Sequence, residues 1–204
     1  MSTTLLLDYG AGNLRSVANA LQSLDADVAV ISSAADFPAT PQRIILPGVG
    51  SFGDSMNELT ARGLAEPIRA AIANGVPFLG ICVGYQLLFE GSDESPNIKG
   101  LGILKGQVKR FQAGKKIPHM GWNSATLTDP DHPLWQGLGT EPYFYFVHSY
   151  FPVPEDPSII AAATDYEESF AAAIIKDNLY AVQFHPEKSQ DAGLQMIKNF
   201  LQLH

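Results

Sequence analysis

The segment PFLGICVGYQLLF, residues 77 to 89, decides how the chain is read. Its first half is an apolar run of strand length, and its second half sets Tyr85, Leu88 and Phe89 at helical spacing. That is a strand turning into a helix. The unit recurs upstream: TLLLDYG is a strand closed by glycine, and Leu14, Val17, Ala18, Leu21 and Leu24 recur as one helix face capped near Asn13. DVAVIS and RIILPG are two further strands, and residues 54 to 74 read as a helix stopped by Gly75-Val76-Pro77. Strands alternating with helices imply right-handed crossovers and a parallel sheet covered on both faces.

The second half changes character. LGILKGQVKRF, YFYFVHSYF, SIIAAATDY and FAAAIIKDNLYAVQF are closely spaced strands, with Asp177-Asn178 as a hairpin turn. Ser189 to Leu203 close the chain as a helix through Leu194, Ile197, Phe200 and Leu201. With no repeat, low-complexity tract or linker, residues 1–204 read as one α/β domain with a mostly parallel sheet and an antiparallel extension. Ligands in such sheets sit at the carboxyl ends of the parallel strands, where DYGAGN, LPGVGSFG and GICVG all fall.

Composition removes several classes of function. Thirteen Lys and Arg against 21 Asp and Glu leave a formal charge of −8, which argues against nucleic acid as a partner. The start of the chain shows no basic leader, and no apolar run approaches the ~20 residues that span a bilayer, so a membrane partner is not expected. A single cysteine forms no internal disulfide, which suits a reducing cytoplasm. The five histidines show no HExxH-type spacing and no cysteine pair exists, so neither metal nor other cofactor is expected.

That cysteine, Cys82, stands at the strand-to-helix junction between Gly80 and Gly84, in the form G-x-C-x-G. A nucleophile on such an elbow occupies an unfavourable backbone region, and side chains two residues away would crowd it. The amides of the following helix favour the thiolate, and the Val83 N–H is aimed where an oxyanion would form. The bland reading is a small buried hydrophobe. A thiolate nucleophile also needs an oriented base, and AVQFHPEKS supplies His185 and Glu187 at the end of an apparent strand. Residues two apart on an extended segment share a side, and Pro186 stiffens it, so the glutamate can hold one ring nitrogen while the other faces the thiol. Alone, His-Pro-Glu would pass for a surface turn.

In LPGVGSFGD, Gly48, Gly50 and Gly53 let backbone approach a ligand closely. The spacing does not match a phosphate-binding G-x-x-x-x-G-K-[ST], so an oxyanion loop over Gly48, Val49 and Gly50 is the better reading. Its Gly-Val-Gly peptides can present either an N–H or a C=O to the thiol. DYGAGN has Gly10 and Gly12 but Arg15 where a dinucleotide fingerprint needs glycine.

GICVGYQ with AVQFHPEKS resembles the class I, triad-type glutamine amidotransferases. DYGAGNLRSV, PGVGSFGD, IPHMGWN and YFVHSY, spread over nearly the whole chain, are similar to the glutaminase subunits of imidazole glycerol phosphate synthase. This resemblance implies a flavodoxin-like three-layer sandwich and a Cys82, His185, Glu187 triad acting on L-glutamine. It implies that Gln86, Ser149 and Tyr150 hold the substrate. It also implies a heterodimer with a (β/α)8-barrel cyclase, met through a segment that includes Met120, Trp122 and Asn123. Amidotransferase subunits serving chorismate or purine enzymes, a silent glutamine-sensing module and a cysteine peptidase are the competing readings.

Overall fold

The structure is a computed structural model that describes residues 3–10, 13–112, 116–166 and 168–203. Its strands and helices follow from where apolar residues fall. Strand β1 (Thr4–Leu7) is buried at every position and feeds helix α1 (Leu14–Ser23), which turns Val17, Ala20 and Leu21 inward. Strands β2 (Val28–Ile31) and β3 (Arg43–Leu46) lie parallel on either side of β1. Helices α2 (Phe52–Ala61) and α3 (Ala65–Ala73) then lead to β4 (Phe78–Ile81), parallel to β3.

The helix expected over 54 to 74 is therefore two. Gly63, at φ +69°, and Leu64 return their N–H groups to Thr60 and Leu59, and buried Leu64 closes the end of α2. Glycine is the residue that takes this left-handed position without strain, so Arg-Gly-Leu ends the helix.

After β4 come α4 (Val83–Gln86), β5 (Gly91–Ser92), β6 (Gly106–Arg110), β7 (His119–Ser124), β8 (Thr126–Leu127), β9 (Tyr143–His148) and β10 (Tyr150–Pro154). The run YFYFVHSYF is thus broken at Ser149: β9 pairs with β7, and β10 pairs with β6 in another sheet. Strands β11 (Ile160–Asp165), β12 (Ser169–Lys176) and β13 (Leu179–Val182) and helix α5 (Gln190–Phe200) complete the order. The β12–β13 turn falls at Asp177-Asn178, with Asp177 at φ 53°.

Among the described residues, eight strands form one sheet in the order β2-β1-β3-β4-β13-β12-β11-β8. Its first five are parallel, and β12, β11 and β8 are the antiparallel extension. The decisive pairing is β13 with β4, in register Val182↔Ile81. A strand from the end of the chain thereby finishes level with the strand that carries Cys82.

Candidate active site

Cys82 sits at φ 53°, ψ −108°, a region that costs a residue with a side chain roughly 1–3 kcal/mol. It is held there from both sides: its N–H donates to Val182 O at 2.8 Å, and its carbonyl accepts from Gln86 N at 3.2 Å. Both flanking glycines are required, though the crowding comes from neighbouring backbone rather than from the sulfur. A Cβ on Gly80 would lie 2.8 Å from Gly84 O, and one on Gly84 would overlap the Leu46 carbonyl. The helix after the elbow is shorter than expected. Only Val83–Gln86 is helical, followed by tighter turns at Leu88 and Phe89. A helix dipole that short adds little, so the sulfur depends on groups close to it.

Those groups come from the far end of the chain. The segment leaving β13 carries buried His185, whose N–H donates to Tyr145 O at 2.9 Å. Ser189 Oγ donates to His185 O at 2.7 Å and accepts from Tyr145 N at 2.9 Å, tying the segment to β9. His185 Nδ1 donates to Glu187 Oε1 at 2.8 Å. The carboxylate reaches the ring by a route other than strand alternation: Pro186–Lys188 is a 3-10 turn that curls Glu187 back beneath it. The Glu187 side chain is fully buried, and its Oε1 also accepts from the side-chain amide of Asn13. Asn13 makes no side-chain cap for α1; it faces this carboxylate instead.

With Nδ1 engaged, the buried Nε2 of His185 is the ring nitrogen left to face the Cys82 sulfur. Burial pulls the His185 pKa down. The negative charge and hydrogen bonding of Cys82, then those of Glu187, outweigh it and push the imidazole up to about 10. The charged form of the His185 imidazole is therefore favoured at this site. Tyr9, fully buried, is held well above the ordinary phenol range, chiefly by burial, and its hydroxyl donates to Pro47 O at 2.8 Å.

Cys82 and His185 share a cavity of about 270 Å³. Val49, Gly50, Val83, Gln86, Ser149 and Tyr150, all singled out from sequence, line it too. Gly48 acts at its edge in an unexpected sense: the Val83 N–H donates to Gly48 O at 3.4 Å. The amide expected to face an oxyanion is thus occupied by the loop's own carbonyl. Gly48 is packed so closely that a Cβ there would overlap the Tyr9 hydroxyl and lie 2.9 Å from Gly84 N.

The sequence reading missed several groups in and beside the cavity. Glu94 lines the cavity while accepting from Phe52 N at 2.7 Å. Gln183, wholly buried, donates from Nε2 to Cys82 Sγ at 3.7 Å and accepts from Gln86 Nε2 at 3.2 Å. His148 lines the cavity as well, and its Nε2 lies 3.0 Å from His119 Nδ1. Burial lowers both imidazoles, to about 3 for His148 and about 4 for His119. Gln183 stood in plain view two residues before His185, but only a neighbour on another strand gives its amide a task.

On the outside of β7, Met120 is 63% and Trp122 47% exposed, beside Tyr143 at 61% on β9. Trp122 does not pack into its own core. Asn123 turns inward, donating to Asp165 O at 2.9 Å and lying 3.3 Å from His119 Nε2.

Residues 5–203 match the family model described as glutamine amidotransferase class-I. The chain belongs to the class I glutamine amidotransferases. Among curated members of the family, a protein of Methylococcus capsulatus named imidazole glycerol phosphate synthase subunit HisH is 48% identical, over 98% of this chain and 96% of its own. One of Synechococcus elongatus with the same name is 49% identical, over 96% of this chain and 91% of its own. Among solved structures, PurLQS of Thermotoga maritima superposes with a TM-score of 0.79 at 21% identity, over 98% of this chain and 97% of that one. The glutaminase domain of a Trypanosoma brucei CTPS gives 0.66 at 15%, over 100% and 95%. These two structures share the α/β architecture described above. Among the described residues, no helix is long and apolar enough to cross a membrane.

Proposed function

We propose that this chain is the glutamine-hydrolysing subunit of an imidazole glycerol phosphate synthase. It acts on L-glutamine in the cytoplasm and hands ammonia to a (β/α)8-barrel cyclase in histidine biosynthesis. The observation that carries the reading is the buried His185 imidazole, which faces the Cys82 sulfur with Nε2 while Glu187 holds Nδ1. Near-identical lengths and almost half the residues shared with the relatives named above support the choice of synthase.

In this reading Cys82 is the nucleophile. Its thiolate attacks the side-chain amide carbon of glutamine, forming a carbon–sulfur bond and a tetrahedral oxyanion. The His185 Nε2–H protonates the amide nitrogen as the carbon–nitrogen bond breaks, releasing ammonia and leaving a γ-glutamyl thioester. His185 then takes a proton from water, the water oxygen attacks the thioester, and the sulfur leaves as thiolate with glutamate free. Glu187 keeps the imidazole in the tautomer with Nδ1–H and stabilises its charged form. Gln86, Ser149 and Tyr150 hold the amino-acid end of the substrate, and Glu94 offers the carboxylate for its ammonium group.

The Gly48–Val49 peptide is the regulated element. As it stands, its carbonyl accepts the Val83 N–H and would oppose a negative oxygen. Rotating that one peptide points the Val49 N–H toward the cavity and frees the Val83 N–H, completing a pair of oxyanion donors. Docking of the cyclase against the Met120 and Trp122 face, with its nucleotide substrate bound, selects that orientation. The test is glutamine turnover by the chain alone and with the cyclase and nucleotide. A rise of about 10²-fold or more on mixing is expected, given what one such donor contributes. Equal rates defeat the gating, and capture of a chorismate or purine enzyme in place of the cyclase defeats the assignment.

A further inference from the structure

We propose that Gln183 is a thiolate-stabilising residue for glutamine hydrolysis, its side-chain amide donating a hydrogen bond that holds the Cys82 sulfur as an anion at the elbow. This rests on Cys82 being the nucleophile. Three observations support it. Gln183 is wholly buried, so its amide has no water to bind in place of its protein partners. Its Nε2 lies 3.7 Å from the sulfur, and a sulfur anion accepts from an N–H much more strongly than a thiol or a thioester does. Its orientation is also decided: Oε1 accepts from Gln86 Nε2 at 3.2 Å, so the nitrogen must face Cys82.

The orientation of Gln86 is set in turn by a chain of donors with one sense. The Tyr150 carbonyl can only accept, and it does so from Gln86 Nε2 at 3.0 Å and from His148 Nδ1 at 2.9 Å. His148 therefore carries its proton on Nδ1 and accepts at Nε2. The 3.0 Å contact there requires His119 to donate from Nδ1. Two neutral imidazoles thus buttress the carbonyl on which Gln86 turns. Neither can take a second proton without setting N–H against N–H.

During the reaction the bond has a direction of effect. It stabilises the free anion before attack and again when the thioester expels it, and weakens while the sulfur is acylated. Removing it leaves the cavity walls in place but makes the thiolate harder to form.

The measurement is alkylation of Cys82 by iodoacetamide across pH, in the full chain and needing no glutamine. The carbon–sulfur bond forms as iodide leaves, so the rate follows the thiolate fraction. The titratable groups facing the sulfur are His185 and Tyr9, with Glu94, His148 and Tyr150 around the cavity, and all are kept in the variants. Gln183→Met keeps length and burial but deletes the donor. Gln183→Glu keeps an acceptor for Gln86 and sets an oxygen against the sulfur. Both are expected to slow alkylation at fixed neutral pH by about tenfold or more, with the half-maximal rate moved to higher pH by about one unit. Turnover with the cyclase should fall in proportion.

An unchanged pH profile, even with turnover lost, overturns the assignment and leaves Gln183 a packing residue. A wild-type thiol no more reactive than free cysteine overturns the nucleophile assignment itself, so the two failures are separable. Should neither variant fold, the wild-type chain decides. The Gln183 side-chain amide resonances must shift when Cys82 is alkylated, and resonances that stay put end the proposal.

Discussion

Two buried imidazole sites border the same cavity and are built to opposite ends. His185 and His148 are 1% and 6% exposed, so burial disfavours charge at both. At His185 a sulfur and a carboxylate face the two ring nitrogens, and the pKa is raised to about 10. At His148 the partners are a carbonyl and another imidazole, His119, which is stacked on Phe146 at 4.9 Å and on Tyr166 at 4.0 Å. Here burial is reinforced by the neighbouring ring, and the pKa falls to about 3. Depth alone therefore says nothing about a histidine's charge. One site holds its imidazole charged between a sulfur and a carboxylate, and the other holds a direction of hydrogen bonding.

The sharpest way to break this contrast is to remove the sulfur or the imidazole proposed to react. Cys82→Ala and His185→Ala should each lower glutamine turnover with the cyclase by about 10⁴-fold or more, measured where each variant still shows a cooperative melting transition. Glu187→Gln tests the orienting carboxylate. With the wrong tautomer favoured and the imidazolium unsupported, kcat should drop by about 10²–10⁴-fold, and a change under threefold would remove Glu187 from the triad.

Stability against pH separates the sites with opposite signs. The unfolded chain titrates its histidines near the ordinary value of 6.5. His119 and His148 have depressed folded values, so below about pH 6.5 the unfolded state binds more protons. Each should lower the unfolding free energy by about 1.4 kcal/mol per pH unit, down to about pH 4 for His119 and about 3 for His148. His185 has a raised value, so its contribution is complete below about pH 6.5 and is lost as pH rises toward about 10. Urea titrations of the wild type and of His119→Gln should show the acid slope shallower in the variant. Equal slopes would mean that His119 binds its proton alike in the folded and unfolded chain, against a depressed folded value. The smallest effect is at the outer strand. Trp122→Ala should weaken capture of the cyclase by roughly 2 kcal/mol while leaving both histidine titrations and the melting temperature unchanged.

The legibility of these regions differed for the same reason. Cys82, His185 and Glu187 could be read because each lies in a short motif whose neighbours are fixed by local geometry: an elbow between glycines, and His-Pro-Glu two residues apart. The geometric route to Glu187 was nonetheless different, a 3-10 turn rather than strand alternation. Asn13 was read as a cap because Asn before an apolar periodic run usually is one, yet its amide goes to a carboxylate 174 residues away. Residues 54 to 74 hold two helices where periodicity alone implies one, although Arg62-Gly63-Leu64 carries the signal for the break. Gln183, Glu94 and the His119–His148 pair had no local signature.

The sequence by itself determined the run of parallel strands and singled out the side chains proposed to react. Burial on both faces demands continuous apolar residues, and a strained elbow demands small ones beside it. Only the tertiary structure decided which distant groups meet. The β13–β4 register delivers His185 and Gln183 to the sulfur, and a loop carbonyl covers the Val83 N–H. Hydrogen bonds between residues a hundred positions apart depend on how strands are shared within a sheet, and no local pattern of residues encodes that.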